Sequence, residues 1–276
     1  MSNNDVTIQS LKTPFGLMRY SIHGQGPVLL VAHGSGGGDD QGRLIAERFF
    51  PECRVIAVSR FGYLGSAMPS NPNNKKQAAV YKMILDAERI ESAYVAGLSA
   101  GGPSVTEFAI EYPDACDGLI LIAAMGVVTL NEGVKLHRLF SLIARSDFFY
   151  GLAAMFIRNR SNTRLPLSEN FLTQLNKEDE HFVRFMFTTA GSLKNRLRGM
   201  WNDRSLKRLN VEEMKTIRAR ALMIHALDDG LISSSNADFA ATVIPNSEKF
   251  ILPEGGHLLL TKHDRIKEKI TAFIQA

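Results

Sequence analysis

The sequence predicts an α/β fold built on a mostly parallel, doubly wound sheet, and three observations carry that prediction. Short apolar runs recur along the chain, many of them continuous rather than alternating, as in VLLVA (28–32), RVIAV (54–58) and LILIA (119–123). A strand reads this way when both of its faces are buried, because helical crossovers cover a parallel sheet on each side. Segments with helical periodicity lie between the runs, and strand–helix alternation of this kind implies a doubly wound sheet. Finally, several runs end directly in glycine-rich or polar loops, where an open α/β sheet places its ligand crevice.

In chain order, residues 6–11 and 17–22 alternate around TPFG and predict an antiparallel edge hairpin. Strands are expected at 28–32, 54–58, 93–98, 119–123, 221–225 and 249–252, and helices at about 41–49, 74–90, 100–112, 235–243 and 264–275. In the second helix, Val80, Ile84, Ala87 and Ile90 form one apolar stripe for the sheet, leaving Lys75, Lys76, Lys82 and Glu88 toward water. The alternation breaks between about 127 and 210, a helix-like stretch rich in Phe, Leu, Met and Arg. The expected organisation is therefore a core in two parts, 1–126 and 211–276, with a helical cap insertion at 127–210 that is expected to be mobile.

Composition narrows the function classes. At 276 residues and 45% hydrophobic content, the chain is long enough for a sizeable core. The first ten residues, MSNNDVTIQS, lack a basic start followed by an apolar stretch, and no run of about 18 apolar residues is long enough to span a bilayer. A cytoplasmic protein with no membrane span is the resulting expectation. Cys53 and Cys116 adjoin apolar runs and read as buried free thiols, too few for a disulfide framework. Within 127–210 there are 14 Lys or Arg against 7 Asp or Glu, so the remainder carries −3 of the +4 total. These cations are scattered among apolar residues, which fits a solvated helical face better than a nucleic-acid surface. A small-molecule substrate is expected, and a homo-oligomer is compatible with the sequence.

Four post-strand loops carry the chemistry: HGSGGG (33–38), GLSAG (97–101), HALDDG (225–230) and GGH (255–257). A serine between two glycines at a strand-to-helix junction suits a sharp turn that exposes the hydroxyl, and its neighbours two residues away must be small for the arms of the turn to approach. The following helix, with Pro103 tolerated in its first turn, would direct N–H groups and a positive dipole end at a reacting oxygen.

On these loops, together with SRFGYLGS (59–66), the chain resembles the α/β-hydrolase superfamily, within it the cap-bearing serine esterase and C–C hydrolase branch. The resemblance spans all but the variable insert. It implies Ser99 as nucleophile, His257 as base and, three residues after Ala226 where the family has a glycine, Asp229 as the acid that orients the imidazole, with Asp228 as the alternative acid. It also implies an oxyanion hole from the backbone N–H of Ala100 and a second N–H at Ser35, with Gly36 as the alternative. His33 and His225 read as structural, Arg60 as a brace for its turn, and His137 and His181 have no placement. The implied reaction is hydrolysis of a small or medium carboxylic ester through an acyl-enzyme, without a cofactor. The alternatives are C–C hydrolysis of a vinylogous diketone, or a binding protein on the same fold.

Two rival motifs fail. GSGGGD (34–39) approximates the dinucleotide fingerprint, but Asp39 stands at its third glycine, where a charge would face pyrophosphate. GGDDQGRL (37–44) lacks the Lys-[Ser/Thr] of a phosphate-binding loop, and no His/Cys cluster suggests a metal.

Overall fold

The computed structural model describes residues 6–126, 175–189, 194–205 and 209–276. Eight strands form one sheet: β1 (Thr7–Thr13), β2 (Gly16–His23), β3 (Val28–Ala32), β4 (Arg54–Val58), β5 (Ala93–Leu98), β6 (Cys116–Ile122), β7 (Arg220–Ala226) and β8 (Ser247–Leu252), in the order β1-β2-β4-β3-β5-β6-β7-β8. The hairpin β1–β2 lies at one edge and pairs antiparallel with β4, while every later pairing is parallel. This is the architecture expected from the sequence, with β3, β4 and β5 at their predicted bounds and ends of the other strands shifted by up to three residues.

The continuous apolar runs divide by residue parity between two cores. In β3, Leu30 and Ala32 face one side of the sheet, and Leu29 and Val31 the other. The first side is covered by α2 (Asn74–Ala87) and α3 (Gly102–Glu111), whose Val80, Ile84, Val105 and Phe108 are fully buried. The second is covered by α1 (Asp39–Phe49) and by the C-terminal helix His263–Gln275, through Ile45, Phe49, Ile266 and Ile270. Helix α2 ends three residues short of the predicted 74–90. Its apolar stripe continues to Ile90, but Arg89 adopts the left-handed region at φ 57°, and a helix cannot pass through that conformation.

Two helices of the insert are described, α4 (Lys177–Thr189) and α5 (Leu197–Ser205), while 127–174 lies outside the described residues. These two helices pack on the core. Phe182 and Val183 of α4 join the core beside α1, and Asp179 forms a fully buried ion pair with Arg48, whose guanidinium also lies 4.6 Å from the Phe182 ring centroid. Helix α5 docks on the turn after β4: the Gly199 N–H donates to Gly62 O at 3.1 Å, and a Cβ on Gly199 would lie 2.2 Å from the Tyr63 ring. Removing one partner of such a buried pair costs about 3–5 kcal/mol, because the other charge is left buried and unpaired.

Candidate active site

Parallel pairing brings the carboxyl ends of β3, β5, β7 and β8 to one edge of the sheet, and the four loops singled out in the sequence meet there. At the end of β5, Ser99 sits in the left-handed region with φ 51° and opens a single 3-10 turn, Ser99–Gly101, that leads into α3. A non-glycine residue held there costs roughly 1–3 kcal/mol, so the surrounding structure must impose it. Sterics explain both glycines. A Cβ on Gly97 would lie 2.6 Å from Val105 Cγ2 and 2.8 Å from Gly102 Cα, across the turn. A Cβ on Gly101 would lie 2.2 Å from the Ala32 carbonyl oxygen of the neighbouring strand. The Met125 N–H ties the turn to the loop after β6 by donating to Ser99 O at 2.9 Å.

The hydroxyl is in line with two further groups. Ser99 Oγ lies 3.0 Å from His257 Nε2, and His257 Nδ1 lies 2.8 Å from Asp229 Oδ2. With Nδ1–H donated to the carboxylate, Nε2 is left to accept the serine proton. Asp229 is buried, and its other oxygen accepts the Leu231 and Ile232 N–H groups at 2.8 and 3.0 Å. Burial pushes the Asp229 carboxyl up. Hydrogen bonds from His225 and His257 and the charge of the latter outweigh burial and hold it well below the usual carboxylate range. His225 Nε2 lies 3.1 Å from the same oxygen as His257 and 3.0 Å from Ile232 O, so it fastens the acid loop to its own backbone. The turn closes without the family's glycine at 226, since the Asp229 N–H reaches Ala226 O at 3.3 Å.

Asp228 takes a different place. Its two oxygens accept the N–H groups of Gly255 and Gly256 at 3.2 and 2.8 Å, fixing the loop that carries His257. From the far side, Asp179 accepts the Thr261 N–H at 3.0 Å.

Facing Ser99 across the crevice is the loop 33–38, where a Cβ on Gly34 would come within 3.2 Å of Ser99 Cβ. His33 lies buried under it, with the Arg60 N–H donated to its Nε2 at 3.1 Å and its Nδ1–H donated to Gly34 O at 2.6 Å. Burial, then the Arg60 charge, lower its pKa well below the usual value and keep the ring neutral. Of the two candidate loop donors, the Gly36 N–H points to the Tyr63 hydroxyl at 3.4 Å and is buried, whereas Ser35 is exposed. Ala100, in the first turn after Ser99, is the candidate on the other side.

Arg60 braces as expected, donating to His33 O at 2.9 Å and Gly34 O at 3.3 Å. Sequence reasoning missed its partner, Asp203 of the insert, held bidentate at 2.6 and 2.9 Å, and Arg196, paired with Asp40 at 2.6 Å. These contacts join residues 143 and 156 positions apart. The one available signal was a spacing of seven between Arg196 and Asp203, about two helical turns. His181 is exposed on α4, and His137 lies outside the described residues. Burial pushes the thiols up to about 11 at Cys53 and about 12 at Cys116, far from a nucleophile's range. Among the described residues there is no group of His, Cys, Asp or Glu suited to a metal ion and no helix long and apolar enough to cross a membrane.

Residues 27–264 match the model of the alpha/beta hydrolase fold family, and the chain belongs to that family. It is 25% identical over 274 residues to a 2-hydroxy-6-oxononadienedioate/2-hydroxy-6-oxononatrienedioate hydrolase of Comamonas testosteroni, an alignment covering 93% of this chain and 91% of that one. Among solved structures, an alpha/beta hydrolase fold protein from Nakamurella multipartita superposes with a TM-score of 0.75 at 24% identity, covering 96% of this chain and 98% of the other. A carboxylesterase from Bacillus subtilis gives 0.72 at 17% identity, with 99% and 92% covered.

Proposed function

We propose that this member of the alpha/beta hydrolase fold family is a serine hydrolase that cleaves a small or medium carboxylic ester through an acyl-enzyme on Ser99. The observation that carries the reading is the hydrogen-bonded line from Ser99 Oγ through His257 to the buried, ionised Asp229. A serine hydroxyl is a weak nucleophile until a base takes its proton, and His257 Nε2 lies where that base must be. Ser99 Oγ attacks the ester carbonyl as its proton passes to Nε2, and the tetrahedral oxyanion is held by the N–H groups of Ala100 and Ser35, with Gly36 as the alternative to the latter. Collapse breaks the C–O bond, and His257 returns the proton to the departing alcohol. Water, deprotonated by His257, then attacks the acyl carbon and releases Ser99 and the carboxylic acid. No cofactor enters these steps.

The second reading is cleavage of a C–C bond in a vinylogous diketone, favoured by the near full-length similarity to the Comamonas testosteroni hydrolase, whose named substrates are 2-hydroxy-6-oxo dienoic and trienoic diacids. In that reaction the same serine would add to a ketone. The two are separated by comparing kcat/KM for p-nitrophenyl esters of two to eight carbons with that for a 2-hydroxy-6-oxo-dienoate. Ester turnover that is lost in Ser99→Ala at unchanged Tm supports the proposal. Preference for the dienoate moves the chain to the second reading. A bound ester with no turnover in the wild type would make it a binding protein on a hydrolase fold.

A further inference from the structure

The loop 33–38 is tied to the insert at two points. Tyr63 stands beneath the loop, its hydroxyl accepting the Gly36 N–H at 3.4 Å and lying 3.5 Å from Ser35 Oγ. The same hydroxyl donates to Asp203 Oδ2 at 2.5 Å. Asp203 also grips Arg60 bidentately, and Arg60 holds the carbonyls of His33 and Gly34. Arg60, Tyr63 and Asp203 are all buried, at 3%, 0% and 9% exposure, so this carboxylate is no solvated surface charge. The second tie is Arg196, fully buried, which donates to Gly36 O at 3.5 Å while paired with Asp40. Between the ties, backbone hydrogen bonds from Leu64 to Asn195 O at 2.8 Å and from Gly199 to Gly62 O seat the insert on the turn after β4.

We propose that Asp203 is a positioning residue for the oxyanion hole: through Tyr63 and Arg60, with Arg196 as a second tether, the insert sets where the Ser35 and Gly36 amides stand. The loop is rich in glycine, and Gly36 is in the left-handed region with nothing within 4 Å of where a Cβ would be, so its own backbone does little to fix it. An oxyanion donor works only when held in place before charge develops, because reorganising it during reaction forfeits the stabilisation. Docking of the insert is thus coupled to completion of the catalytic site, not only to covering it. The proposal rests on the serine-hydrolase reading.

The test compares wild type with Asp203→Asn and Tyr63→Phe in ester turnover and in inhibition by an aryl trifluoromethyl ketone. Addition of Ser99 Oγ to that ketone sends the serine proton to His257 and places a full oxyanion in the hole. Loss of one well-placed oxyanion donor lowers kcat by about 10²- to 10³-fold. Partial displacement predicts a fall of about 10-fold for Tyr63→Phe and about 10²-fold for Asp203→Asn, in kcat rather than KM, with the inhibitor Ki rising by the same factor. If Asp203→Asn does not fold, Tyr63→Phe, which keeps the Arg60–Asp203 pair, decides. Unchanged kcat and Ki in a folded variant overturn the proposal, as does a loss confined to Tm or KM. A wild type that neither turns over esters nor binds the ketone overturns the serine-hydrolase reading itself, and this proposal with it.

Discussion

The serine turn and the loop facing it are both glycine-rich, yet they are held in opposite ways. At 97–101 the glycines are forced by contacts within the sheet: Gly101 has no room for a Cβ against the Ala32 carbonyl, and Gly97 none against α3. The geometry of Ser99 is therefore set locally, by a strand, a turn and a helix. At 33–38 Gly36 has latitude, Cβ atoms on Gly37 and Gly38 would meet side chains rather than backbone, and the loop's position comes from His33 and Arg60 beneath it and from Asp203 and Arg196, which arrive from the insert. One half of the site is built by steric exclusion and the other by buried charge.

The largest expected effect falls on the acid behind His257. Asp229→Asn should lower kcat about 10³- to 10⁴-fold by favouring the wrong His257 tautomer, read from ester hydrolysis at saturating substrate. If Asp228→Asn gave the larger loss, the acid would be misassigned.

A paired substitution tests the contrast directly. Gly101→Ala should displace the turn, destabilise the fold by roughly 1–3 kcal/mol or more and remove most activity, because its Cβ meets backbone rather than a side chain that can move. Gly36→Ala meets no atom, and only its φ of 81° opposes it, at about 1–2 kcal/mol. Its Tm should fall less, measured by calorimetry. Equal losses would mean that the loop is as sterically fixed as the turn.

Asp228→Asn should act more weakly, about 10-fold on kcat, since the amide retains one acceptor for the Gly255 and Gly256 N–H groups and His257 keeps its own partner. The smallest effect is on pH dependence. The folded pKa of Asp229 is depressed, so its contribution to stability is complete above the unfolded value of about 4 and is lost as pH falls through the lower folded value. The Tm gap between wild type and Asp229→Asn should hold steady from about pH 5 to 8 and narrow below about 4. A gap that widened on acidification would contradict a paired, ionised Asp229.

The contrast also explains what was readable from sequence. The central strands were legible because runs such as VLLVA and LILIA are apolar at every position, as burial on both faces requires. Ser99, His257 and Asp229 were legible because each follows a strand in a loop of recognisable composition. Helix α2 was overread by three residues, since its apolar period runs on to Ile90 past the left-handed turn at Arg89. Asp203, Arg196 and Asp179 were invisible for a physical reason: each matters through a partner more than 130 residues away, and a lone charge in a basic helical stretch looks like solvated surface. The described helices of the insert grip the loops that build the site.

The most direct test of the central claim is mass mapping after exposure to a fluorophosphonate, in wild type and in His257→Ala. The account predicts one adduct per chain, on Ser99, formed by the wild type and absent from the variant. A folded wild type left unlabelled, or equal labelling of the variant, would contradict an activated serine at the turn after β5.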